Sequence, residues 1–191
     1  MTWPVDSSQE PNLFVSLFAL LPSPAPKENF LSELFGYILN TADGAAEAWL
    51  SKVFSAPLSV ARARATTRTA ATLGEADPAL FPDMKIEAEM HSGQCMTVYS
   101  EHKWTSPCSS EQLRKYTELI RRPDKTEQRL VFVGLTPTQV TKARETCELK
   151  AFLWEDVHAV LATVPDPYSD VEGVSDLYGH TRTRSGQGNH T

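Results

Sequence analysis

The chain is predicted to adopt an α/β fold, and three patterns in its 191 residues carry that prediction. Period-two alternation recurs in "LSVARARATTRTA" at 58–70, "DMKIEAEM" at 83–90 and "TVYSEHKW" at 97–104. Apolar residues at helical spacing run through 28–40 and again through 109–122. The two periodicities interleave as helix, three strands, helix, strand, then a last strand and helix.

Taken in order, "ENFLSELFGYILN" at 28–40 places Leu31, Leu34, Phe35 and Ile38 on one helical stripe. Glu28 falls on the shoulder of that stripe and Glu33 on the far side. "DGAAEAWLSKVF" at 43–54 continues as a second helix or a broken extension, with Asp43 as its cap and Pro57 as its stop. The strand at 58–70 sets Arg62 and Arg64 on one face. In "DMKIEAEM", Met84, Ile86, Ala88 and Met90 point one way, and Asp83, Lys85, Glu87 and Glu89 the other. "HSGQ" at 91–94 is a tight turn, so 82–103 reads as a hairpin whose second arm carries Glu101 and Lys103 on one face.

"SSEQLRKYTELIRR" at 109–122 is a helix with Ser109 at a capping-box spacing from Gln112 and a stripe of Leu113, Tyr116, Leu119 and Ile120. "QRLVFVGLTP" at 128–137 is a buried strand and 136–146 a short helix. "ELKAFLW" at 148–154 is a last strand, and "EDVHAVLATV" a last helix with acids in its first turn. The Pro-rich joint "PSPAPK" at 22–27 and the Asp, Gly and Ser-rich stretch after Pro165 set the boundaries. They divide the chain into an N-terminal extension at 1–27, a domain at 28–164 and a flexible tail at 165–191.

Composition narrows the function classes. A hydrophobic content of 41% is enough to bury a core, and the net charge of −6 argues against a wholly basic nucleic-acid binder. Phosphate binding would need a local basic face, for which Arg62, Arg64, Arg68, Arg114 and Lys115, with Arg121 and Arg122, are the candidates. Their rival reading is ordinary solubilising charge. Cys95, Cys108 and Cys147 stand outside any C-x-x-C spacing and read as free thiols in a reducing compartment. The apolar run in "NLFVSLFALLPSPAP" at 12–26 is preceded by Asp6 and Glu10 and by no Lys or Arg, which is the wrong charge for a secretory signal. It reads as a short packed helix, too short to span a bilayer, and the expected location is cytoplasmic. No Gly-rich phosphate loop supports an ATPase.

Asp83 at the start of one strand-like run and Glu101-His102-Lys103 at the close of the next have no use in a core. Brought together, two carboxylates and an ammonium suit metal-assisted phosphoryl chemistry, because Mg²⁺ prefers hard oxygen ligands and is content with one or two carboxylates. Pro82-Asp83 followed by Glu101-x-Lys103 resembles the motif of the PD-(D/E)XK nuclease superfamily. "EQLRKY" at 111–116 is similar to the helix that follows the motif in several branches, and "FLWEDV" at 152–157 to their strand-to-helix join. The resemblance covers about residues 28–164 and implies a restriction-endonuclease-like core, a mixed sheet flanked by helices in α-β-β-β-α-β order. It implies a Mg²⁺ ion, or Mn²⁺ in its place, held by Asp83, Glu101, the carbonyl of His102 and Glu28. Lys103 would lie against the attacking water and the phosphate, and Gln112 would orient Lys103 or the water.

The implied activity is hydrolysis of phosphodiester bonds, in DNA before RNA, in a bacterial restriction, defence or repair setting. The implied partner is nucleic acid and not a membrane, with a homodimer or a further domain or subunit left open. The alternative is a catalytically inactive nuclease-fold module that binds nucleic acid or a protein partner. A third reading treats Asp83 as a turn residue and Glu101 and Lys103 as a solvated strand face. His102 should point away from its neighbours, and Tyr116 and Trp154 should be core residues.

Overall fold

Pro24 and Pro26 sit in the opening turn of the first helix, where a missing N–H leaves no bond unmade. Helix α1 (Pro24–Thr41) therefore begins inside the Pro-rich stretch that reads as a joint, four residues before the expected domain boundary. A computed structural model of the chain describes residues 24–68, 70, 71, 80–107, 109–121 and 126–164. The apolar run from 12 to 23, most of the loop before Pro82, Cys108, and the tail from 165 lie outside these residues.

Helix α2 (Ala45–Phe54) is capped by Gly44, which takes φ of 77°, and not by Asp43. It ends on Ser55 in a left-handed conformation, two residues before the expected stop at Pro57. Then follow β1 (Val60–Thr67), β2 (Met84–Met90), β3 (Cys95–His102), α3 (Ser110–Ile120), β4 (Glu127–Gly134), α4 (Pro137–Thr146), β5 (Lys150–Leu153) and α5 (Trp154–Leu161). The sheet is mixed and five-stranded, in the order β1-β2-β3-β4-β5. β1, β2 and β3 are antiparallel, while β3, β4 and β5 run parallel. The expected hairpin turn is present, with Gly93 at φ of 82°.

Burial explains why β4 shows an unbroken apolar run. Val131 and Val133 face a core with Phe35, Trp49, Leu50, Ile86 and Val98 under α1, α2 and α5. Phe132 faces the opposite side with Leu113, Val140 and Ala143 under α3 and α4. A strand covered on both faces has no polar side to alternate with. Two side chains tie the edge strand β1 to the helices. The Asn40 amide donates to the Ala65 carbonyl at 2.9 Å and accepts from the Ala65 N–H at 2.8 Å. Glu47 accepts from the Val60 N–H at 2.8 Å.

Thr136 caps α4 in a reciprocal box with Gln139, and the same glutamine amide donates to the Ser106 carbonyl at 2.9 Å. Gln139 thus secures the segment after β3, on which the site depends. Among the described residues, no helix is long and apolar enough to cross a membrane.

Candidate active site

Asp83 immediately precedes β2, the strand between β1 and β3, and it bonds to both neighbours. Its backbone carbonyl accepts from the Arg68 N–H at 3.1 Å. Its side-chain Oδ2 accepts from the His102 N–H at 2.6 Å. That second bond draws the carboxylate of Asp83 to the C-terminal end of β3, where Glu101 and Lys103 project from one face.

Glu101 is 1% exposed and Lys103 8%. Lys103 Nζ lies 2.5 Å from Glu101 Oε1 and 3.3 Å from Glu28 Oε1, so one ammonium meets acids from two elements. The lysine backbone is held as well. Its N–H donates to the Val133 carbonyl on β4 at 2.8 Å, and its carbonyl accepts from Trp154 Nε1 at 3.2 Å. Glu28 also accepts from the Trp104 N–H at 2.9 Å and from the Ser106 hydroxyl at 2.5 Å, both on Oε2.

The electrostatics are those of three acids around one base in a poorly hydrated corner. Burial, reinforced by the charge of Asp83, pushes the Glu101 carboxyl up to about 7. Burial likewise raises Asp83, against the pull of the His102 N–H. Burial pulls the Lys103 ammonium down, but Glu101, Asp83 and Glu28 together outweigh it and hold Lys103 above its ordinary value. Apart from Lys103 Nζ beside Oε1, no donor reaches Glu101 among the described residues, so its support is that ion pair alone. A buried carboxylate without donors is costly unless a cation answers it.

The donor set fits a hard divalent ion. Asp83 and Glu101 offer carboxylate oxygens alone, and Mg²⁺ needs few of them because it keeps several waters. Glu28 fits less well, since both of its oxygens already hold donors; it anchors Lys103 and the segment at 104–106. No group of three His, Cys, Asp or Glu residues among those described is arranged to grip a metal ion. Two carboxylates, a backbone carbonyl and water would have to suffice.

His102 turns its ring to the other face of the sheet, as strand alternation requires. The ring is fully buried, 5.1 Å from the Trp154 ring and 5.9 Å from Phe35, and burial pushes it down to about 3. Its Nδ1 lies 2.7 Å from the Ser32 hydroxyl, which also donates to the Glu28 carbonyl. Among the described residues, Gln112 makes no hydrogen bond to Lys103. Its amide donates to the Tyr116 hydroxyl at 3.0 Å, and that hydroxyl donates to the Phe81 carbonyl at 2.9 Å. Only half of the expected capping box on α3 forms, with the Gln112 N–H donating to the Ser109 hydroxyl.

The proposed basic face is largely neutralised by acids. Arg62 pairs with Glu89, Arg68 with Glu33 and Lys115 with Glu111, while Arg64 stands opposite Glu87 in the β1–β2 register. Arg114 is exposed on α3. Arg68 nonetheless lies beside the acidic cluster, since its N–H bonds the Asp83 carbonyl and its charge acts on the Asp83 carboxylate.

Sequence reasoning missed Ser32, Ser106, the Trp154 indole N–H and the Tyr116 hydroxyl. Ser32 carried a readable signal: a small polar residue four after Glu28 on an apolar stripe. Tyr116 was read as core, and its ring is buried, but burial and the nearby charge of Glu101 raise its phenol, which stays protonated.

No protein-family model matches the sequence, and no curated protein matches it. Among solved structures, the MspJI restriction endonuclease in complex with a 27-mer oligonucleotide aligns at a TM-score of 0.33 and 16% identity. The alignment takes in 84% of this chain, which spans about a third (34%) of that one.

Proposed function

We propose that this chain is a metal-dependent nuclease that hydrolyses phosphodiester bonds, with a restriction-endonuclease-like core. The observation that carries the reading is the convergence of Asp83, Glu101 and Lys103 at the end of β3, with Glu101 answered by the Lys103 ammonium alone and its Oε2 left without a donor. Asp83 and Glu101 would hold Mg²⁺ or Mn²⁺, with the His102 carbonyl as a third oxygen. The ion would supply Lewis acidity, stabilising charge on the phosphoryl oxygens and acidifying water.

The chain's own residues have distinct parts. An amine held above its ordinary value does not give up its proton near neutrality, so Lys103 acts as a fixed cation beside the phosphate and not as a base. Glu28 aims that cation and ties the 104–106 segment to α1. Tyr116 and Gln112 buttress Phe81 at the entry to Asp83. DNA as substrate, and a setting in restriction, defence or repair, follow the resemblance of the motif and belong to the same proposal.

A plasmid assay tests the reading. Purified protein with Mg²⁺ or Mn²⁺ is expected to nick or degrade plasmid, and Asp83→Ala or Lys103→Ala to slow this by about a thousandfold or more. Cleavage that survives both substitutions refutes the site. Metal uptake that depends on Glu101 without cleavage of any nucleic acid refutes the activity and favours a binding module.

A further inference from the structure

At the far edge of the sheet, a cleft of about 550 Å³ opens between the end of α2, helix α4 and the edge strand β5. Lys52, Arg144 and Lys150 line it, together with the Ser51 and Ser55 hydroxyls, and no carboxylate does. In a chain of net charge −6, three cations around one cleft with no acid in its wall is a local reversal of sign. We propose that this cleft is an anion site that takes a phosphoryl group.

The charge is uncompensated and partly pre-arranged. Arg62, Arg68, Lys85, Lys103, Lys115 and Arg129 each pair with a carboxylate. None of the three cleft cations does so among the described residues. Arg144 instead donates one N–H to the Ala151 carbonyl at 2.6 Å, which orients the guanidinium while its remaining donors stay available. Lys150 Nζ donates to Ser55 Oγ at 3.0 Å. Neutral acceptors therefore hold two of the cations in place without cancelling their charge.

The C-terminal end of α2 points its partial negative charge toward this region, which works against an anion. That effect is blunted because the Lys52 and Ser51 carbonyls already accept from the Ser55 and Ala56 N–H groups. A tetrahedral oxyanion offers several acceptors in different directions, which matches a fork and two ammoniums better than a planar carboxylate does. The phosphoryl group has two sources, a free phosphate compound or the backbone of a nucleic acid. The site stands two strands away from Glu101 in the sheet order, and it does not depend on whether the carboxylate cluster cuts.

The 191-residue chain, freed of metal on a chelating resin so that nothing is hydrolysed, is titrated with inorganic pyrophosphate and with a short DNA duplex. The double substitution Lys52→Gln, Lys150→Gln is compared with the charge-preserving pair Lys52→Arg, Lys150→Arg. The Gln pair should weaken binding about tenfold while the Arg pair retains it. Loss confined to pyrophosphate identifies a free phosphate compound. Loss with duplex, accompanied by a salt dependence shallower by about two, identifies the backbone. If the wild-type chain binds neither probe, or binding is equal in all three proteins, the proposal is overturned. Equal loss in the Gln and Arg pairs also overturns it, because charge is then not what the cleft contributes.

Discussion

Replacing Glu101 by Gln should stabilise the metal-free protein above neutral pH while abolishing its chemistry. The Glu101 carboxyl is 1% exposed and rises from an ordinary 4.5 to about 7. Each pK unit corresponds to about 1.4 kcal/mol, so holding the charged form in place costs the folded state about 3 kcal/mol. The sign follows from proton linkage. The folded protein holds this proton more tightly than the unfolded chain does. The carboxyl therefore costs nothing below about pH 4.5, and its full cost is reached as pH rises through about 7. An amide of the same shape never ionises and escapes that cost.

Urea unfolding at about pH 8 should then place the midpoint of Glu101→Gln about 1.5 M above wild type, using a slope of about 2 kcal/mol per M. At about pH 4.5 the two midpoints should agree. If Asp83 and Glu101 hold Mg²⁺ as proposed, saturating Mg²⁺ should narrow or reverse the gap at high pH, because the variant has lost a ligand. A midpoint difference that is the same at both pH values, or a variant less stable at about pH 8, would refute the electrostatic account of this corner.

Two further substitutions probe how the corner is built. Ser32→Ala removes the partner of His102 Nδ1 in a buried setting, and should lower stability by about 1–3 kcal/mol in chemical denaturation. It should also reduce cleavage, since the same hydroxyl fixes the turn carrying Glu28; full activity in a folded Ser32→Ala protein would rule that coupling out. Trp49→Ala, in the middle of the larger core with no exposed surface, should cost about 3–5 kcal/mol and leave metal affinity unchanged wherever the fold persists. A loss below about 1 kcal/mol would show that the α2 side of the sheet contributes little.

Local pattern was enough to place the elements. Strict alternation in "DMKIEAEM" puts Met84, Ile86, Ala88 and Met90 on one face, and the hairpin buries all four where a one-residue slip would expose them. The same period put Glu101 and Lys103 on one face, and helical spacing put Glu28 toward the core side of α1. These outcomes need only the neighbours within one element, which the residue order contains. The start of α1 and the cap of α2 were misread. Proline is tolerated in a first turn, and the left-handed Gly44 displaced the better side-chain cap at Asp43.

What the residue order left undecided was every partner chosen across elements. Whether Arg62 and Arg68 would meet phosphate or acids depended on β1 lying beside β2 and α1, which hands them Glu89 and Glu33. Gln112 could have reached toward Lys103, but on α3 its amide bonds the Tyr116 hydroxyl instead. The fully buried ring of His102, its Ser32 contact and the unpaired cations at the β5 edge exist only once distant segments stack. A side chain's spacing along the chain sets which way it points, but burial, desolvation and charge are summed over whatever packs against it. Those sums belong to the tertiary structure alone.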